Sequence, residues 1–170
     1  MNRTPTGRIL SQDGRPVLRI VRQLAAPIED VWASLTETER MERWIGTWSG
    51  DPLSGTVLFA MTAEGEDAPA EEMEIRECDP PRVLRVTSLT AGQRWQLDVV
   101  LTSAGTGTTL TFEQPDIDPV QVESVGPGWE YYLDRLIATV EGGDITALDW
   151  ERDYYPAMQA HYRSQVSDSP

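Results

Sequence analysis

From Thr47 to Gln114 apolar and polar residues alternate with a period of two, the pattern of strands with one buried face. The clearest case runs from Arg94 to Leu101: Trp95, Leu97, Val99 and Leu101 alternate with Arg94, Gln96 and Asp98. Thr108, Leu110, Phe112 and Gln114 likewise share a face. The spacing predicts strands over residues 55–62, 71–78, 82–88, 93–102 and 107–114. Turn-forming residues separate them: Glu64-Gly65-Glu66, Asp79-Pro80-Pro81, Ala91-Gly92 and Ala104-Gly105-Thr106-Gly107. Connections this short imply an antiparallel meander.

Upstream, Asp13-Gly14 favours the left-handed backbone of a tight hairpin turn, so strands are expected around residues 7–11 and 16–25. The second places Leu18, Ile20 and Leu24 on one face and Arg19 and Gln23 on the other. After Pro27 the period changes. Ile28, Val31, Trp32 and Leu35 form the apolar stripe of a short helix. Thr36 and Glu39 have capping-box spacing for a second helix, with Met41, Trp44 and Ile45 buried and Gly46 at its end.

Downstream, Trp129, Leu133, Leu136, Ile137 and Val140 keep helical spacing over about 128–141, with Gly126-Pro127-Gly128 as a start turn and Gly142-Gly143 as the stop. Such a helix spans about 21 Å, enough to cross a five- or six-stranded sheet. In the tail, Trp150, Tyr154, Met158 and His161 suggest a short terminal helix, begun or kinked by Pro156.

This order predicts a single α+β domain over residues 1–170, with its core at about 8–145 and a helical tail at about 146–165. A sheet with one apolar face must cover it, and the long C-terminal helix is the only sizeable cover. A curved antiparallel sheet wrapped around one helix, with two short helices after the first main strand, is a helix-grip layout. It leaves space at the open end, and such pockets are mostly apolar.

Charge and composition narrow the function. The chain has 28 acidic and 14 basic residues, every basic one Arg, for a net charge of −14. That charge repels nucleic-acid backbones and anionic membrane surfaces. The sequence MNRTPTGRIL has no apolar signal core, no stretch of about 18 apolar residues occurs, and Cys78 is the only cysteine. A cytoplasmic location without membrane insertion and without a disulfide is expected.

Three stretches carry a family resemblance: APIEDVWASLTETERMERWIG, VGPGWEYYLDRL and YYPAMQAHY. Over residues 8–163 the chain resembles the SRPBCC (START-like) superfamily, in the branch similar to the activator of the heat-shock-protein-ninety ATPase. The resemblance implies a helix-grip fold with a hydrophobic cavity. It also raises contact with a chaperone, as a co-chaperone-like ATPase activator.

The cavity candidates are Trp44, Trp48, Phe59, Trp95, Leu97, Phe112, Trp129, Tyr132, Leu133 and Leu136. Wide aromatic surface in this number suits a flat apolar ligand. Gln114, Ser88, Glu130 and Arg135 are the polar groups that could meet a ligand by position, with Glu130 and Arg135 expected on the solvent side of the helix. His161 lacks a triad partner, Cys78 is expected to be an inert, half-buried thiol, and Glu71, Glu72, Glu74 and Glu77 are expected on a solvated strand face. One His and one Cys exclude an ordinary zinc site, and neither GxGxxG nor GxxxxGK[ST] occurs. No cofactor is indicated. The expected function is binding of a small hydrophobic molecule, aromatic or lipid-like, as carrier or sensor. An aromatase/cyclase- or hydratase-type enzyme acting on a polyketide-like substrate is the alternative. A homodimer through a sheet edge or an exposed Trp stays open.

Overall fold

A computed structural model of the chain describes residues 3–90 and 92–167. Ala91 of the expected Ala91-Gly92 turn, and the ends of the expected 1–170 domain, lie outside the described residues. Among the described residues, eight strands form one antiparallel sheet: β1 (Arg8–Gln12), β2 (Arg15–Leu24), β3 (Thr47–Ser49), β4 (Thr56–Ala60), β5 (Glu71–Asp79), β6 (Val83–Thr90), β7 (Gln93–Ala104) and β8 (Gly107–Pro115). Their order across the sheet is β1-β2-β8-β7-β6-β5-β4-β3. The β1–β2 turn uses Asp13 and Gly14 at φ 52° and 77°, the left-handed pair the sequence anticipates. β4 through β8 are the predicted meander, extended by β3 at one edge, and β2 joins it by pairing with β8. This is the helix-grip α+β fold: the curved sheet holds the long helix α3 (Val122–Glu141), while α1 (Ile28–Thr36) and the single turn α2 (Thr38–Met41) connect β2 to β3.

Several local expectations are corrected. The Thr36/Glu39 capping box does not form, because Thr36 Oγ1 donates instead to the Trp32 carbonyl at 2.9 Å. Glu37 is the N-cap of α2, with no side-chain cap. The second helix ends at Met41, and Trp44 and Ile45 reach the core from the turn after it. Gly46 is needed for contact: a Cβ there would lie 2.1 Å from the Ala60 carbonyl oxygen on β4. The short β3 was not anticipated.

The main correction concerns α3. It starts at Val122, ahead of the expected 128, and is 20 residues long, or about 30 Å. Gly126-Pro127-Gly128 lies inside the helix. Pro127 is the sixth residue of the helix, so it forgoes one intrahelical bond, to the Glu123 carbonyl, and leaves the first turn intact. Gly126 is required for packing. The ring of Tyr162 from α5 (Gln159–Ser167) lies so close that a Cβ would meet three of its atoms at 2.6–2.7 Å. The tail therefore holds two short helices, α4 (Trp150–Asp153) and α5, and α5 packs on α3 and β1.

Glu130 was expected to face solvent. It is 1% exposed. Its Oε1 accepts from the Thr6 and Gly7 amides at 2.7 and 2.8 Å and from the Tyr162 hydroxyl at 2.5 Å. Its Oε2 accepts from Arg22 Nη2 at 2.5 Å and Thr6 Oγ1 at 3.1 Å. Arg22 Nε also donates to Asp134, one turn along α3, at 3.0 Å. Asp134 in turn accepts the Tyr154 hydroxyl at 2.7 Å. Burial raises the Glu130 carboxyl, but the Arg22 charge and the hydrogen bonds from Tyr162, Arg22 and Gly7 outweigh it and hold the pKa below the usual carboxylate range. Next to it, burial first, then the Glu130 charge, push the Tyr162 phenol up.

Removing Glu130 would leave Arg22 Nη2, the Thr6 and Gly7 amides and the Tyr162 hydroxyl without their acceptor. Glu130→Ala is expected to cost about 3–5 kcal/mol in urea unfolding. Because the folded carboxyl titrates below its unfolded value, its stabilisation is complete above about pH 4.5 and is lost as pH falls through the lower folded pKa. The stability gap between the parent and Glu130→Gln should therefore narrow below about pH 4. Gly126→Ala is expected to destabilise by about 1–3 kcal/mol despite its better helix propensity, and to become neutral or stabilising when Tyr162 is also changed to Ala.

Candidate ligand cavity

α3 makes its principal sheet contact with β2, at one side of the sheet, while α1 lies against β7 and β8. Beyond them, among the described residues, the inner faces of β4 to β6 have no helix packed closely on them. Met73, Ile75, Leu84, Val86, Leu97 and Val99 point inward, yet each is only half-buried. The space they face is a cavity of about 1250 Å³, larger than the ~300–1,000 Å³ of most small-molecule sites.

The strand registers set which side chains reach it. Met73 lies opposite Ser88, which lies opposite Trp95; Ile75 lies opposite Val86, which lies opposite Leu97. A bulge at Ile75/Glu77 then advances the phase of β5 by one residue, so that Cys78 faces inward beside Leu84. Nine of the ten predicted cavity residues line this one space: Trp44, Trp48, Phe59, Trp95, Leu97, Phe112, Trp129, Tyr132 and Leu133. Leu136 does not. It is 1% exposed and packs in the solid core a turn further along α3.

All six tryptophans of the chain border the cavity, including Trp32 on α1 and Trp150 on α4. The polar ends of three of them are tied to protein acceptors. Trp44 Nε1 donates to the Ser34 carbonyl and Trp48 Nε1 to the Thr36 carbonyl, both at 2.8 Å. Trp129 Nε1 donates to Gln114 Oε1 at 2.8 Å, with its ring 4.6 Å from that of Phe112. Indole N–H groups satisfied in this way leave hydrocarbon and π surface to face the hollow. Trp150 sits at the rim, stacked on Tyr155 at 5.8 Å and edge-on to Tyr131.

The polar candidates separate. Ser88 borders the cavity. Gln114 is buried and engaged by Trp129. Arg135 is half-buried, donates to the Trp44 carbonyl at 2.8 Å and lies over the Tyr131 ring, so it braces the wall from behind. Sequence reasoning missed Glu64. It follows β4, is exposed at the rim, and accepts the Tyr132 hydroxyl at 2.9 Å. Burial first, then the Glu64 charge, push the Tyr132 phenol up. Glu71, expected on the solvated face with Glu72 and Glu74, points into the cavity instead because of the alternation along β5. Glu77 pairs with Arg85 outside.

Cys78 is exposed at the rim, not half-buried; partial desolvation of its sulfur against the cavity wall first, then the Asp79 charge, raise its thiol, so it is not an activated nucleophile. His161 Nε2 lies 2.8 Å from the Gly7 carbonyl, in the tail and away from the cavity. Among the described residues no helix is long and apolar enough to cross a membrane.

CalU16 from Micromonospora echinospora superposes with a TM-score of 0.71 at 24% identity in its crystal structure, covering 96% of this chain and 97% of that one. EF2215 from Enterococcus faecalis, a conserved protein of unknown function, gives a TM-score of 0.72 at 19% identity over 95% of this chain and 91% of that one. DynU16, a protein in the dynemicin biosynthetic locus, gives 0.57 at 22% identity over 74% of this chain and 47% of that one. These likenesses establish the fold. No curated protein sequence matches the chain. The profile of the Activator of Hsp90 ATPase homolog 1-like protein family matches residues 25–141, from the end of β2 to the end of α3, and the chain belongs to that family.

Proposed function

We propose that this protein binds a small hydrophobic molecule, aromatic or lipid-like, within the cavity, as a cytoplasmic carrier or sensor. One observation carries the reading: a hollow of about 1250 Å³ is bordered by all six tryptophans, and three of them, Trp44, Trp48 and Trp129, have their indole N–H groups bonded to protein acceptors. Apolar side chains held inward and half-exposed cost stability in the empty protein, by roughly 25 cal/mol for each Å² left in water. A ligand that covers them regains that free energy on binding. Trp44, Trp48, Phe59, Trp95, Leu97, Phe112, Trp129, Tyr132 and Leu133 are the proposed contacts.

The alternative, an enzyme of aromatase/cyclase type, would need a polar group able to move a proton at the ligand. The Tyr132–Glu64 pair is the arrangement that favours it, since the two are hydrogen-bonded at 2.9 Å on the cavity wall. A phenol whose pKa is raised donates a proton less readily, so the pair is better suited to orienting a carbonyl than to acid catalysis.

Flat hydrophobic compounds should quench the tryptophan fluorescence saturably. Native mass spectrometry of gently purified protein should find a retained small molecule. Val86→Trp fills part of the hollow from β6, over its apolar floor, and should weaken binding by at least about tenfold, without lowering the melting temperature. Val21→Trp, at an exposed position on β2, should leave binding intact. Saturable binding that survives filling of the cavity would overturn the reading.

A further inference from the structure

The cavity wall carries charge of one sign. Glu64 and Glu71 border it, and among the described residues no Arg or His does; the chain has no Lys. Arg135, the basic group whose charge reaches Tyr132, stands behind the wall, with Nε donating to the Trp44 carbonyl and Nη1 to the Tyr131 hydroxyl. The arrangement of the acids is specific. Trp48 lies directly opposite Phe59 on the neighbouring strand, and Phe59 lies directly opposite Glu71 on the next. Side chains opposite one another share a sheet face with Cβ atoms about 4.5–5.5 Å apart. Trp48, Phe59 and Glu71 therefore form one row across β3, β4 and β5 on the cavity side. Glu64 hangs over the same end, in the connection between β4 and β5, where Tyr132 holds it at 2.9 Å.

Two aromatic rings beside a carboxylate suit a cation. The ring faces attract it through their quadrupoles, and the carboxylate supplies the opposite charge in a partly desolvated place. The same row repels a carboxylate or phosphate head. The chain's net charge of −14 adds a long-range field of the same sign.

Building on the binding role above, we propose that the ligand is cationic: a flat or elongated apolar body bearing an amine or ammonium group. Its charge sits at the Trp48–Phe59–Glu71 row under Glu64, and its body lies along the apolar floor formed by β6 and β7. Anionic amphiphiles such as fatty acids are excluded by the same charges.

Three ligands sharing one ring system separate this proposal from the binding role itself: 1-pyrenemethylamine, 1-pyrenemethanol and 1-pyrenecarboxylate. Each is titrated into the full chain, with energy transfer from tryptophan as the readout. Binding of the neutral alcohol tests the binding role alone. The expected result is an amine that binds at least about tenfold tighter than the carboxylate, with the alcohol between. In the Glu64→Gln/Glu71→Gln variant the gap should shrink to about threefold or less. Glutamine keeps the acceptor for Tyr132 and the side-chain volume, and the single Glu71→Gln variant serves if the double variant fails to fold. A carboxylate that binds as tightly as the amine overturns the proposal, and so does a gap that persists in the variants, which would assign it to overall charge. In either case a bound alcohol leaves the binding role standing. If none of the three binds, both fall.

Discussion

Arg22 lies on the inner face of β2 between Ile20 and Leu24, and its guanidinium spans Glu130 and Asp134 on α3. A charge on an otherwise apolar face must be paired, and these acids, one turn apart, present themselves on the same side of the helix. The pairing draws α3 onto β2. With the helix held there and α1 on β7 and β8, the inner faces of β4 to β6 keep no close helical cover, and the hollow follows. Buried ion pairs add little net stability, because desolvation offsets their attraction. Their effect here is positional: they determine where along the sheet the helix rests.

The same network reaches the chain ends. Glu130 takes the Thr6 and Gly7 amides and the Tyr162 hydroxyl, so the segment before β1 and the helix α5 converge on one carboxylate. Gly7 and Gly126 are both shaped by this convergence, since a Cβ at either would collide with Tyr162. The Tyr162 ring thus backs α3 from outside, and the face carrying Trp129, Tyr132 and Leu133 looks inward to the sheet and the cavity. A solid, polar-bonded seam lies on one side of the domain and a loosely filled aromatic hollow on the other. Membership of the family leaves the ligand open, because function lies in the site and not in the fold.

Much of the architecture was legible because period-two alternation and helical spacing follow from backbone geometry. The meander from β4 to β8, the α1 stripe and the first hairpin lie where the pattern puts them. The helix-grip arrangement was legible from element order and from the family resemblance. The start of α3 was misread at Gly126-Pro127-Gly128, although Val122, Val125 and Trp129 continue its apolar spacing; glycine and proline usually signal a break, and here tertiary packing against Tyr162 overrides that tendency. Glu130 was misread because a charged residue in a helix is ordinarily solvated. The available signal was Arg22, whose even spacing from Ile20 and Leu24 puts it on the apolar face and in need of a partner.

By itself, then, the sequence determined the elements, their antiparallel pairing and the aromatic character of the interior, since these depend on neighbours along the chain and on alternation that any strand must obey. Tertiary structure alone decided that Leu136 belongs to the solid core while Leu133 borders the cavity, that Glu71 turns inward with Glu64 above it, and that Arg22 meets Glu130 and Asp134. Each of these depends on which distant residue occupies the opposite surface. Local periodicity shows that a side chain faces inward, but whether it meets a packed neighbour or a hollow is settled only when the helix comes to rest on the sheet.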